Sequence, residues 1–139
     1  MKNKGALVLA EQAIMLLVFA LAAVLCLRAF VWADTASEES AARDRALLQA
    51  QNIAEVLKGC SGDFDAAAVQ TGGVRDGEGW VVLYDEDWNV TDDMHSYTLR
   101  VLPRFDGTEY LGRAMVSVCR GGTELTALEV CWQEVTADG

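Results

Sequence analysis

"GALVLAEQAIMLLVFALAAVLCLRAFVWA", residues 5–33, is the longest apolar stretch in this chain of 139 residues. Residues 13–27 carry no charge, and the stretch reaches residue 33, or 21 residues, if the Arg28 guanidinium extends to the membrane interface on its aliphatic stem. A helix of that length crosses the hydrocarbon core of a bilayer. We therefore predict a transmembrane segment over residues 7–33, preceded by a short basic leader over residues 1–6.

The charges on either side of this segment predict its orientation. Lys2 and Lys4 precede it, and acidic residues follow from position 34 onward. Because the cytoplasmic flank of a membrane helix carries the excess of lysine and arginine, we expect a single-pass protein of the cell membrane. Its N-terminus would be cytoplasmic, its C-terminal domain extracytoplasmic, and Trp32 an anchor at the outer interface. The alternative is a secretory signal cleaved after Ala33, which Glu11 and the long apolar core fit less well.

The net charge separates the two parts of the chain. It is −10 overall and +2 over residues 1–33, which leaves −12 for residues 34–139. An acidic surface of this kind repels the phosphate backbone, so we expect no nucleic-acid partner.

The membrane segment is predicted to continue as an amphipathic helix over residues 34–58. Residues 6–58 contain neither glycine nor proline, and Gly59 provides a natural end. Small and apolar residues recur every three or four positions on one helical face. They are Ala46, Ala50, Ile53 and Leu57. A hinge is the alternative, because Asp34 and Thr35 could cap a separate second helix.

The chain beyond residue 59 changes its pattern twice. Residues 59–79 contain six glycines and no sustained period, which indicates a linker or an irregular layer, with a short helical turn over residues 65–69 as an option. Residues 80–139 then alternate apolar and polar side chains with a period of two. About four strands are predicted, over residues 80–86, 95–105, 109–120 and 124–135. Their short connections favour an antiparallel meander, so the expected class is α+β, with a long N-terminal helix packed on a small sheet.

The last predicted hairpin can be registered from its own residues. Residues 114, 116 and 118 share a face with residues 128, 130 and 132 if a three-residue loop spans positions 121–123. This register places Arg120 opposite Glu124 as a cross-strand ion pair. It leaves one face of the sheet apolar, and the outer half of the helix is the candidate to cover it.

No pattern of residues indicates an enzyme. The single histidine, His95, has no accompanying nucleophile, and no phosphate-binding or dinucleotide-binding motif is present. Five acids occur within residues 85–93, but they lack the glycine and the terminal glutamate of an EF-hand loop. We interpret this run as a solvated hairpin turn, and we expect no catalytic residue, cofactor or metal.

The four cysteines show no metal-binding spacing. Cys26 lies in the predicted membrane segment, and the other three would be extracytoplasmic, where disulfides form. The hairpin register pairs Cys119 with Leu125, and Cys131 with Arg113, so these two cysteines are not cross-strand partners. The sequence leaves a disulfide bond from Cys60 to Cys119 or to Cys131 as an alternative.

The stretch "KGALVLAE", residues 4–11, with the helix behind it, resembles the start of type IV pilins and type II secretion pseudopilins. The chain looks most like the divergent single-pass pilin-like proteins of Gram-positive bacteria. The resemblance implies a leader removed by a prepilin peptidase after a small residue, with four apolar residues between the cut and a glutamate. A cut after Gly5 leaves five residues before Glu11, whereas a cut after Ala6, making Leu7 the first residue, leaves four.

The resemblance also implies what Glu11 does. Its carboxylate would pair with the N-terminal amine of a neighbouring subunit during assembly, because an isolated charge in lipid is costly. A hydrated Glu11 at headgroup depth, favourable to the helix N-terminus, is the alternative. The expected function is a non-enzymatic pilin-like subunit that contacts other pilin-like subunits or secretion-platform proteins. The alternative is a membrane-anchored or secreted extracytoplasmic binding module that does not polymerise.

Overall fold

The computed structural model describes residues 3–105, 107 and 110–134. The chain divides into two compact units, residues 1–41 and residues 42–139. The first unit is helical throughout its described part. The second is a two-layer α+β domain, as the sequence predicts, in which helix packs on an antiparallel sheet.

The helix α1 spans Asn3–Gly59 without interruption. Thr35, a candidate cap of a separate helix, instead donates its hydroxyl to the Val31 carbonyl at 2.9 Å, one turn earlier in the same helix. A hydrogen bond from a threonine hydroxyl to the carbonyl four residues earlier is typical of a position inside a helix, whereas an N-cap side chain accepts from backbone amides. The hinge considered at residues 34 and 35 is therefore absent.

Five antiparallel strands follow one another in chain order across one sheet. The strands are β1 (Val74–Asp76), β2 (Gly79–Tyr84), β3 (Tyr97–Arg104), β4 (Leu111–Arg120) and β5 (Thr123–Gln133). The predicted meander is confirmed, with one more strand than expected. The short β1 and the eleven-residue β5 form the two edges.

The segment over residues 59–79 is ordered and is not the linker that its glycines suggest. It contains helix α2 (Phe64–Thr71) and strand β1. Asp63 caps α2 by accepting hydrogen bonds from the amides of Asp65 and Ala66 at 3.0 and 3.1 Å, and Gly72 ends it at φ 68°. The glycines thus occupy turns and caps within a packed layer.

The apolar face of α1 covers the sheet as predicted. Ala46, Ala50 and Leu57 are fully buried and Ile53 is 3% exposed. Opposite them the alternate residues of the strands are buried, among them Trp80, Leu99 and others of β2 to β4. The face of α1 that packs on the sheet thus consists mainly of alanines, with Ile53 and Leu57 as its larger side chains.

The β4–β5 hairpin follows the predicted register over most of its length and departs from it near the turn. Cys131 lies opposite Arg113, but Arg120 lies opposite Thr123 rather than Glu124. The ladder shifts between Val118 and Cys119, where Leu125 is left as the extra residue of a bulge. The turn contains two residues, Gly121 and Gly122, both at positive φ, as tight hairpin turns require. The predicted three-residue loop and the Arg120–Glu124 pair are therefore wrong.

Candidate functional site

The first candidate region is the apolar surface of α1 in the first unit. Every described residue from Asn3 to Glu39 is exposed, including Phe19 at 75% and Trp32 at 76%. Such a continuous apolar surface is unfavourable in water. The helix is long and apolar enough to cross a membrane, which is compatible with a single-pass anchor.

Glu11 lies on this exposed apolar surface. The neighbours one helical turn away on its face include Leu7, Ile14 and Met15. The carboxylate forms no ion pair with any other described residue of the chain. A counter-charge in a lipid environment would therefore have to come from another molecule, or from water and headgroups at the interface.

The residues of the predicted leader junction are part of the same helix. Gly5, Ala6 and Leu7 all lie in α1 and are exposed. Leu7 and Glu11 are four residues apart, which corresponds to about 6 Å along the helix axis. An amine at position 7 and its own Glu11 would therefore share one helical face.

The second candidate region is a groove at one end of the domain formed by residues 42–139, with a volume of about 610 Å³. We call it the arginine groove. It lies where α2 begins, at the β1–β2 turn and at the adjoining ends of β3, β4 and β5. Its described lining consists of Gly62, Phe64, Arg75, Glu78, Pro103, Arg104, Phe105, Gly107, Leu111, Gly112, Arg113, Trp132 and Glu134.

Aromatic rings form the apolar part of the arginine groove. The Phe64 ring packs edge to face on Trp80 at a centroid distance of 5.1 Å and on Trp132 at 6.1 Å. Trp132 is half-buried, with its indole against Gly62 and Gly112. Phe105 is 87% exposed at the rim. The groove thus has a fixed aromatic floor and one free aromatic side chain.

Three arginines line the same groove. Arg75 pairs with Asp65 at 3.0 Å and its guanidinium lies 5.9 Å from the Phe64 ring centre, while Arg113 pairs with Glu129 at 3.8 Å. Arg104 is the direct cross-strand partner of Arg113. Like charges in that position repel, and the Glu129 carboxylate partly offsets this repulsion at Arg113.

The acidic run forms an ordered loop between β2 and β3. The Asp85 carboxylate accepts hydrogen bonds from the amides of Asp87 and Asn89, both at 2.9 Å, and from the Asn89 side chain. Chiefly because of the bonds from Asn89, the pKa of Asp85 lies below its ordinary value. Trp88 stacks on Tyr97 with ring centres 4.0 Å apart. The predicted hairpin connection is therefore an ordered loop, with its first part folded on the sheet and most of its acids exposed.

His95 and the acids of the loop do not gather as metal ligands in the described part of the chain. His95 is exposed and lies before β3, which begins at Tyr97. The sequence had predicted that the strand begins at His95. Among the described residues no group of three metal-ligating side chains comes together. Burial raises the pKa of Tyr84, the last residue of β2, and no nucleophile accompanies it.

All four cysteines are free thiols. Cys60 packs against the core at the end of α1, and its thiol lies 3.6 Å from the Gln70 side-chain oxygen. Cys119 and Cys131 belong to the other face of the sheet, because they alternate with the buried Val118 and Val130. The bridge considered from Cys60 to either of them is not formed, and the sheet stands between the partners.

Comparisons with protein-family models, with curated proteins and with solved structures find no match to this chain. The assignment of function therefore depends on the residues themselves. The arginine groove was not predicted from the sequence, because its lining comes from five separate segments. One feature of the sequence hinted at a binding surface. After Lys58 the chain has five arginines and no lysine, and three of these arginines line the groove.

Proposed function

We propose that this chain is a non-enzymatic pilin-like or pseudopilin-like subunit, anchored by α1 and assembling with other subunits in a type IV pilus or type II secretion-like machine. The observation that carries the proposal is the combination on one helix of a membrane-length apolar surface and the unpaired carboxylate of Glu11. A membrane anchor alone has no need of a carboxylate near its apolar stretch, whereas subunit pairing does.

The orientation belongs to the same proposal. Lys2 and Lys4 would hold the N-terminus in the cytoplasm, and the acidic domain of residues 42–139 would lie outside the cell membrane. The partners in this arrangement are the membrane, the neighbouring subunits, and a prepilin peptidase acting at Gly5, Ala6 or Leu7.

N-terminal sequencing of the mature protein tests the processing. A chain that begins at Ala6 or Leu7 supports the proposal, and an intact Met1 contradicts the processing step. A chain that begins at Asp34 would instead identify a secreted domain without a membrane anchor.

The role of Glu11 is tested by crosslinking between subunits. A photo-reactive residue in place of Leu16 should crosslink two copies in membranes, and Glu11→Ala should lower the yield by roughly tenfold if the carboxylate pairs with a neighbour's amine. Gln12→Ala is the matched control, since it removes an uncharged side chain at the next position. An unchanged yield in Glu11→Ala would eliminate the amine pairing.

A second function is favoured by the arginine groove. A groove of about 610 Å³ with aromatic and arginine side chains is suited to holding a partner segment, as in an anchored binding module that does not polymerise. If the parent chain is folded and membrane-bound but gives no crosslinks between copies from position 16, the result would favour this alternative.

A further inference from the structure

We propose that the arginine groove of one copy receives the acidic loop, residues 85–96, of a second copy. This contact rests on the proposed self-assembly and assigns an interface to the domain of residues 42–139, separate from the helix contact at Glu11. It is argued from the positions, the shapes and the charges of the two surfaces.

The two surfaces lie at opposite ends of the same strands. The acidic loop connects Tyr84 to Tyr97, whereas the groove includes Arg104 at the other end of β3. The eight residues of β3 separate them by about 25 Å at roughly 3.3 Å per residue. A single copy therefore cannot bring its own loop into its own groove without unfolding the sheet, so the contact must be between molecules.

The charges of the two surfaces are complementary. The loop carries five acids within residues 85–93. The described lining of the groove carries three arginines and two glutamates, whereas residues 34–139 as a whole carry a net charge of −12. Arg75 and Arg113 already pair with Asp65 and Glu129 within the chain, so Arg104 is the arginine that the proposal assigns to the loop. Arginine and carboxylate form short, directional, charge-assisted hydrogen bonds. A carboxylate from the loop would pair with Arg104, whose cross-strand neighbour Arg113 already has Glu129 as a partner.

The apolar parts of the two surfaces match as well. Met94, directly after Asp92 and Asp93, is 92% exposed, so an apolar side chain is accessible to a partner beside the carboxylates. The groove offers the rings of Phe64, Phe105 and Trp132. A flexible thioether packs favourably against aromatic rings, so Met94 would be the anchor that enters the groove.

The loop is organised for such a contact before it binds. Hydrogen bonds to the Asp85 carboxylate and the stacking of Trp88 on Tyr97 hold its first half on the sheet. These contacts reduce the ordering entropy that the first half of the loop would lose on docking. Because the loop and the groove are different surfaces, the contact is head-to-tail, and each copy keeps one of each free for the next.

The test is photo-crosslinking of the full chain in membranes. A benzophenone amino acid replaces Met94, and chains with light and heavy nitrogen are mixed so that crosslinks between copies are recognised by mass. We expect crosslinks between copies that map to residues 103–105, to residues 111–113 and to Trp132. The same probe in place of Val69, which is 83% exposed on α2, should not reach those residues. Crosslinks from position 94 only to lipid, to another protein or to other surfaces would overturn the proposal.

Charge exchange tests the pairing itself. Arg104→Glu in one copy should lower the crosslink yield from position 94 by roughly tenfold or more, and Asp93→Arg in the other copy should restore it. Arg45→Glu, the same change at an exposed helix position outside the groove, should leave the yield unaltered. Equal yields in Arg104→Glu and Arg45→Glu would reject the docking contact.

The helix probe separates the two proposals. A photo-reactive residue in place of Leu16 reports contacts of α1 in the same membranes. Retained crosslinks at position 16 with none from position 94 to the groove would reject the docking contact alone. Crosslinks from position 94 to the groove, with none between copies at position 16, would reject the helix assembly and support the docking contact.

Discussion

Gly112 and Trp132 are direct partners across the β4–β5 ladder, and the indole of Trp132 lies where a side chain on Gly112 would have to be. A Cβ at position 112 would fall 2.1 Å from Trp132 Cε2. Gly62 closes on the same ring from the end of α1, with a Cβ position 2.1 Å from the indole nitrogen. The two glycines thus form a slot that fixes the tryptophan in the floor of the arginine groove.

Gly112→Ala should destabilise the domain by about 1–3 kcal/mol, because the new methyl group displaces the indole. Gly77→Ala is the informative control. Gly77 is at φ 62° with open space around it, so its substitution has only the backbone cost of about 1 kcal/mol. Thermal unfolding in detergent followed by tryptophan fluorescence measures both. A Gly112→Ala protein as stable as the parent would mean that the slot is not closed.

Leu57→Ala should destabilise the helix–sheet core by about 2–5 kcal/mol, because Leu57 is fully buried where α1 ends. Leu48→Ala removes the same atoms from a side chain that is 59% exposed on the same helix. Its effect should stay within about 0.5 kcal/mol. Equal effects of the two substitutions in chemical unfolding would contradict the packing of α1 on the sheet.

Trp88 combines favourable stacking with an unfavourable backbone. Its ring stacks on Tyr97 at 4.0 Å, while its φ of 64° lies in the left-handed region. Trp88→Ala should destabilise the domain by about 1–3 kcal/mol through loss of ring contacts. Trp88→Gly loses the same contacts but relieves the backbone, so it should be more stable than Trp88→Ala by about 1 kcal/mol. The reverse order in thermal unfolding would argue against the strained conformation.

The order of the acidic loop should depend on pH through Asp85. The hydrogen bonds from Asn89 and Asp87 lower the pKa of Asp85 below its ordinary value of 3.8 in the folded state. The stabilisation is therefore complete above the unfolded-state pKa and is lost as the pH falls through the lower folded-state value.

The NMR signal of the Trp88 indole, followed from pH 6 to pH 2, measures this loss. In Asp85→Asn, the shift of the Trp88 indole signal with pH should be smaller than in the parent, because the titrating carboxylate is gone. Glu86→Gln, one residue further along, should leave it in place. A transition that is identical in Asp85→Asn would assign the pH dependence to another acid.

The sequence predicted the elements whose pattern is local. The helix face at Ala46, Ala50, Ile53 and Leu57 follows from the helical period, and the meander follows from strands joined by short turns. The bulge at Leu125 was hidden because residues 123 and 124, between the bulge and the turn, are both exposed and show no alternation that would reveal the change of register. The glycines of residues 59–79 concealed α2 and β1, since caps and linkers draw on the same residues.

The arginine groove could not be predicted in the same way. Phe64, Arg104 and Trp132 are far apart in the sequence, and only the pairing of the strands brings them together. Glu11 was found from the sequence because a charge within an apolar stretch stands out locally, whereas an arginine at the end of a strand does not.

The two edges of the sheet differ in how readily they would recruit a misfolded copy. The three residues of β1 offer few free backbone groups, whereas no described strand pairs with the outer side of the eleven-residue β5. Exposed strand edges template amyloid-like aggregation unless charges oppose it. The exposed Glu124 and Glu129 supply that opposition on β5. The solubility of the domain during purification therefore depends on these two carboxylates, and replacing both with uncharged residues would expose β5 to pairing with another copy.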